Sequence, residues 1–200
     1  MSKLRYATSI SLDGFTAGPD QSAEDPLGVG GRALHTWMRE ESPSSRVLAE
    51  DEIGVGALIM GRNMFGGGPG PWGREPWAGW WGASPPFHLP VFVLTHHARP
   101  RLECDGGTSF TFVTDGLDAA LAQATHAAGG QYVDICGGAT VAKQYLAAGL
   151  LDEILLRLVP VFLGAGVRLF DDEVLDKIQL EQAFVVEGRG VTHLKYRVLR

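Results

Sequence analysis

The chain has only two cysteines in 200 residues, Cys104 and Cys136. Two cannot build a disulfide framework, and no spaced Cys/His set accompanies them, so no metal site is expected and the setting reads as the reducing cytoplasm. No apolar run approaches the roughly 18 residues that would suggest a membrane span. Met1-Ser2-Lys3-Leu4-Arg5 is not followed by an apolar signal core, and no membrane association is expected. Basic residues are few and scattered: 17 Lys and Arg stand against 23 Asp and Glu, a net charge of −6. Without a basic stripe, a nucleic-acid partner is not expected. A local cluster of cations could still hold a phosphorylated small molecule. Familiar catalytic signatures are missing too. There is no GxGxxG after a strand, no GxxxxGK[ST], no GxSxG and no HExxH, so nucleophilic and metal-assisted mechanisms lack support.

What is present is a chain of 45% hydrophobic residues, enough for a sizeable core in one domain spanning 1–200. Apolar runs of strand length fall at 4–12, 55–60, 90–95, 108–113, 132–135 and 153–161. Helical patterns fall at 33–40, with Leu34, Trp37 and Met38 on one face, at 47–53, and at 141–148 before Gly149. Another runs from an expected cap at Asp115 to Ala128, with Leu117, Leu121 and Ala124 on one face and Gly129-Gly130 as its stop. Asp171-Asp172-Glu173 reads as a solvated face, and 182–186 with 192–199 as a hairpin around Gly188-Arg189-Gly190. Strands alternating with helices predict an α/β fold with a mostly parallel central sheet covered on both faces, and the final hairpin adds an antiparallel edge.

The turn Cys136-Gly137-Gly138-Ala139-Thr140 joins a strand directly to a helix. Free amides and the positive end of the helix dipole suit a phosphate there, although Gly-Gly also serves tight packing. Gly61-Arg62-Asn63 and Thr95-His96-His97 also follow apolar strands. In an open α/β sheet, ligands bind beyond the carboxyl ends of parallel strands, so the three ends together could clamp a dinucleotide. Arg62, His96 or His97 would suit an additional phosphate; otherwise they are surface residues. Asp13, in Ser11-Leu12-Asp13-Gly14-Phe15, either holds a polar group of a ligand or simply makes a turn.

Residues 66–88 contain Gly-Gly-Gly-Pro-Gly-Pro, Pro85-Pro86 and four of the five tryptophans: Trp72, Trp77, Trp80 and Trp81. That density of proline and glycine excludes a regular element, and the aromatics argue against disorder. The tryptophans either wall a pocket for a flat ring or staple the loop to the body or to a second subunit.

The segments Gly137-Gly138-Ala139-Thr140, Tyr145 through Glu153, Pro160-Val161-Phe162-Leu163-Gly164-Ala165-Gly166 and Leu169-Phe170 resemble the dihydrofolate-reductase-like superfamily. The likeness is strongest to the reductase domain of bifunctional riboflavin biosynthesis enzymes. Ser11-Leu12-Asp13-Gly14 resembles that family's first-strand motif, and Leu58-Ile59-Met60-Gly61-Arg62 the strand end of dihydrofolate reductases. The resemblance implies a three-layer α/β/α sandwich, a homodimer and an NADPH-dependent reductase of a small pyrimidine- or pterin-like heterocycle. It implies cofactor contacts at Gly61, Arg62, Asn63, Thr95, His96, Gly137, Gly138, Ala139 and Thr140. It further implies Asp13 as the catalytic candidate and Ser11, Phe15, Trp37, Pro160 and Phe162 along the substrate. Phe15 stands where the riboflavin enzymes usually carry Lys, and Cys136 where they usually carry Glu. The alternative reading is a dimeric nucleotide-binding or sensor protein on the same fold, without turnover.

Overall fold

The computed structural model describes residues 2–22, 24–39, 54–66, 70–73, 77–170 and 178–199. The expected helix at 47–53 and the acidic segment 171–173 lie outside these residues. In chain order the first strands are β1 (Leu4–Ser11), β2 (Phe15–Ala17), β3 (Val55–Gly61), β4 (Pro90–Leu94) and β5 (Leu102–Glu103). They are followed by β6 (Ser109–Val113), β7 (Tyr132–Cys136), β8 (Glu153–Val159), β9 (Val167–Arg168), β10 (Gln179–Gly188) and β11 (Val191–Leu199). Besides helices α1 (Arg62–Phe65), α2 (Gly116–Ala128) and α3 (Ala139–Ala147) there are a 3-10 helix at Gly31–Arg39 and a single 3-10 turn at Asp105–Gly107.

The backbone packs as two compact units. The first holds Met1–Lys3 and Val55–Gly138. Its strands run in the order β7-β3-β4-β6-β5. The pairs β7·β3, β3·β4 and β4·β6 are parallel, and only the short β5 is antiparallel. Strand β3 is buried along its whole centre, as expected when both faces of a parallel strand are covered. Leu58, Met60, Phe65, Val91, Val93 and Phe110 form this unit's core. Helix α2 buries Ala120, Ala124 and Ala128, leaving the expected Leu117 and Leu121 half-buried beside them. Asp115 stands at its N-cap without a side-chain hydrogen bond, whereas Gly129 closes the helix in the left-handed conformation as expected.

The second unit holds Leu4–Gly54 and Ala139–Arg200, with strand order β10-β11-β8-β1. Strands β1 and β8 are parallel; β11 runs antiparallel to β8 and forms the expected hairpin with β10 around Arg189-Gly190. Leu34, Val159 and Val191 centre its apolar cluster, with Trp37 packed against them. The helical pattern expected at 33–40 is realised as a 3-10 helix over Gly31–Arg39 rather than an α-helix. With three residues per turn, i and i+3 line up and i+4 turns away. Leu34 and Trp37 therefore share the inner face while Met38 is 56% exposed.

Candidate functional site

The register of the first unit brings three strand ends side by side. Met60 pairs with Cys136, and Gly61 with Leu94. The turns that follow, at Gly137-Gly138, Gly61-Arg62-Asn63 and Thr95-His96, therefore emerge from adjacent strands in the order the sheet dictates. Arg62 opens α1 and is held in place from three sides. Its Nε donates to the Gly66 carbonyl at 3.2 Å, its Nη1 to Thr95 Oγ1 at 3.4 Å. Its guanidinium lies 3.2 Å from the centroid of the Trp72 ring. Thr95 is buried, whereas Asn63 and His96 are exposed at the rim.

A second arginine, which the sequence reading did not single out, completes this corner. The Arg99 guanidinium lies 4.6 Å from both the Trp72 and Phe112 rings, and its Nη1 donates to the Trp77 carbonyl at 2.7 Å. Burial lowers the pKa of both arginines, and Arg99 lowers that of Arg62 further. With Arg99 disfavouring the charge of Arg62 beside the indole they share, an anion at this corner would be favourable.

Gly137 has φ +66, and a Cβ there would stand 2.2 Å from Met64 Sδ. The close approach at this glycine is thus made by the protein's own thioether. At Gly138 the space where a Cβ would lie is open, so a ligand can reach the backbone at the second glycine but not at the first. Helix α3 begins at once, at Ala139, two residues earlier than the sequence pattern suggested. Ala139 is buried and Thr140 exposed.

The tryptophan loop is stapled to the body of this unit. Trp72 Nε1 donates to the His97 carbonyl at 2.8 Å, Trp77 to that of Phe65 at 2.7 Å and Trp80 to that of Met64 at 2.8 Å. The last two bonds satisfy carbonyls in the closing turn of α1, which has no further helical turn to use them. Of the roles open to these rings, anchoring is the one the hydrogen bonds carry.

In the second unit, Asp13 is a committed acceptor. Ser11 Oγ donates to its carboxylate at 2.5 Å, the Leu163 N–H lies 3.2 Å from each oxygen, and the Gly164 N–H donates at 2.7 Å. These donors, Ser11 foremost, lower its pKa from 3.8 to about 2. Held ionised at neutral pH, Asp13 fits an anchor of the 163–164 turn better than a proton donor. Ser11 Oγ also accepts from the Phe15 N–H at 2.9 Å. Phe15 itself is buried, with the Arg168 guanidinium 4.6 Å from its ring. Pro160 lines a cleft of about 210 Å³ with Leu12, Leu158 and the β10–β11 turn. Phe162 is 76% exposed. Trp37 donates from Nε1 to Ser9 Oγ at 3.3 Å and to the Leu34 carbonyl at 3.1 Å, and meets the His193 ring edge-on at 5.4 Å.

A family model described as the RibD C-terminal domain matches residues 2–193. The chain belongs to the RibD C-terminal domain family. Solved structures agree on the fold. Acinetobacter baumannii RibD is 18% identical over 100% of this chain and 59% of its own, with a TM-score of 0.65. A Thermotoga maritima diaminohydroxyphosphoribosylaminopyrimidine deaminase/5-amino-6-(5-phosphoribosylamino)uracil reductase is 13% identical over 99% of this chain and 57% of its own, TM-score 0.60. Enterococcus faecalis dihydrofolate reductase, solved with NADP(H), is 15% identical over 99% and 97%, TM-score 0.55. This RibD C-terminal domain chain thus spans somewhat over half of those two longer proteins and nearly all of the folate reductase. No curated protein matches the sequence. The expected α/β architecture with a mostly parallel sheet is the one this family uses.

Proposed function

We propose that this RibD C-terminal domain is an NADPH-dependent reductase of a small pyrimidine- or pterin-like heterocycle, working as a homodimer in the cytoplasm. The observation that carries the reading is the Arg62–Trp72–Arg99 stack beside the open backbone of Gly138 and the hydroxyl of Thr95. These groups fit a dinucleotide phosphate in charge and in room. Reduced nicotinamide supplies the hydride when bound. The chain's own share is to hold phosphates with Arg62, Thr95 and the amide at Gly138. Membership of the family and a fold shared with an NADP(H)-bound folate reductase support it.

Tryptophan fluorescence tests it, because Trp72 lies directly against Arg62. Saturable quenching by NADPH is expected, and its absence would overturn the reading. Commitment of Asp13 as an ionised acceptor favours a second possibility, a nucleotide-binding sensor without turnover. Steady NADPH oxidation with any member of a pteridine and pyrimidine panel rules that out; tight binding with no oxidation favours it. Light scattering decides the oligomeric state.

A further inference from the structure

In the first unit, the turn after β4 carries Arg99 into the corner where Trp72 covers Arg62. That turn is pinned before it reaches Arg99. The His97 N–H donates to Thr95 Oγ1 at 3.2 Å, and the His97 carbonyl accepts from Trp72 Nε1 at 2.8 Å. The Arg99 guanidinium then lies 4.6 Å from the Trp72 and Phe112 rings, with Nη1 on the Trp77 carbonyl at 2.7 Å. Aromatic faces and a carbonyl hold a guanidinium in position without cancelling its charge. Its Nε is enclosed and has no hydrogen-bond partner, which leaves the Nη2 amino group to meet a ligand. Beside it opens a cleft of about 430 Å³, whose walls include Trp72, Ala98, Arg99, Pro100 and Leu102. That volume suits a small molecule. Arg101 also borders the cleft but is paired, with Glu103 at 2.6 Å. Asp105 stands in the 3-10 turn after β5, and Asp115 and Asp118 at the start of α2. Among the described residues none of these carboxylates forms an ion pair with Arg99, whose pKa is lowered by burial alone.

We propose that Arg99 holds the phosphate on the adenosine ribose of the coenzyme, with the adenine beside Trp72 in the cleft, and thereby selects NADPH over NADH. The inference rests on the dinucleotide reading above and adds the residue that discriminates. The family resemblance gives Arg99 and Trp72 no role. Strand order sets two anion positions apart. Gly138 follows β7 and Arg99 follows β4, with β3 between them. At about 4.8 Å per strand, two steps come to roughly 10 Å, too far for one phosphate to touch both. A coenzyme whose ribose phosphate is separated from its diphosphate by a sugar reaches both. The walls of the cleft select the rest. Indole, proline and leucine suit a flat ring, and a guanidinium without a carboxylate suits an anion. NADH would offer Arg99 only a hydroxyl and leave its charge unanswered.

Fluorescence titration with NADPH and with NADH tests it, comparing the unmodified chain with Arg99→Gln and Arg99→Lys. The unmodified chain is expected to bind NADPH about ten- to a hundredfold more tightly, the worth of a charge-assisted hydrogen bond. Arg99→Gln should lose most of that preference by weakening NADPH alone. Arg99→Lys keeps the charge without the planar fork and should retain part of it. An equal loss for both coenzymes in Arg99→Gln means that Arg99 only anchors the tryptophan loop, and overturns the proposal. If neither variant folds, the NMR signals of the Arg99 guanidinium in the unmodified chain decide. Adenosine 2′,5′-bisphosphate should shift them saturably and adenosine 5′-monophosphate should not; identical responses overturn the site. NADPH and NADH bound equally tightly defeat this inference and leave the reductase reading intact. No quenching by either coenzyme overturns that reading, and this inference falls with it.

Discussion

Asp13 illustrates how much a single side chain owes to groups far away in sequence. Its acidity is set by Ser11 two residues before it, and by two amides about 150 residues later. Because the folded pKa of about 2 lies below the ordinary 3.8, the stabilisation is complete above the ordinary value and is lost as pH falls between the two. Asp13→Asn should therefore lower the melting temperature at neutral pH, and the gap to the unmodified chain should narrow as pH drops into that window. Calorimetry across pH reads this, and a gap independent of pH would show that the carboxylate charge is not what holds the turn. Arg62 carries the second prediction at this scale. Arg62→Ala should weaken NADPH binding by about ten- to a hundredfold if the guanidinium meets a phosphate, and fluorescence titration measures it. The importance of Arg62 was legible, since it follows an apolar strand directly. That of Arg99 was not, because nothing local says that two arginines 37 positions apart share one indole.

Among the elements, the turn after β7 makes the clearest demand on its sequence. Gly137 combines a positive φ with the Met64 thioether where a Cβ would lie. Gly137→Ala should cost about 1–3 kcal/mol through backbone strain and overpacking, read by urea denaturation. Trimming Met64 in the same chain should recover only part of it, since the φ penalty remains. The Gly-Gly pair was visible as a tight strand-to-helix turn. Which glycine serves packing and which leaves room for a ligand depended on a side chain from α1. The 3-10 helix teaches a similar lesson: the apolar residues Leu34, Trp37 and Met38 fit an α-helical face, but the tighter winding retains only the i, i+3 pair.

For the molecule as a whole, the order of the chain shapes how it assembles. The segment Val55–Gly138 is continuous, whereas the second unit is built from Leu4–Gly54 and Ala139–Arg200. Its parallel pairing of β1 with β8 joins residues nearly 150 positions apart, as in Arg5 with Glu153. Closing so long a loop is entropically costly before contacts reward it, so this pairing should form late in folding. Leu155→Ala on β8, where the side chain is fully buried, should cost about 2–5 kcal/mol. Most of that should appear as faster unfolding and little as slower folding. Stopped-flow chevrons decide, and a folding rate that falls in step with stability would place β8 in the nucleus instead.

Local pattern was enough to establish that this chain alternates strands with helices, ends in a hairpin, and presents glycine turns after its parallel strands. Those properties depend on backbone preferences and on apolar periodicity, which neighbouring residues carry between them. Tertiary structure alone decided which charges meet: Arg62 with Arg99 across Trp72, and Asp13 with distant amides. Such meetings follow from strand order and register, which set residues far apart in the chain side by side, so no short window of sequence contains them.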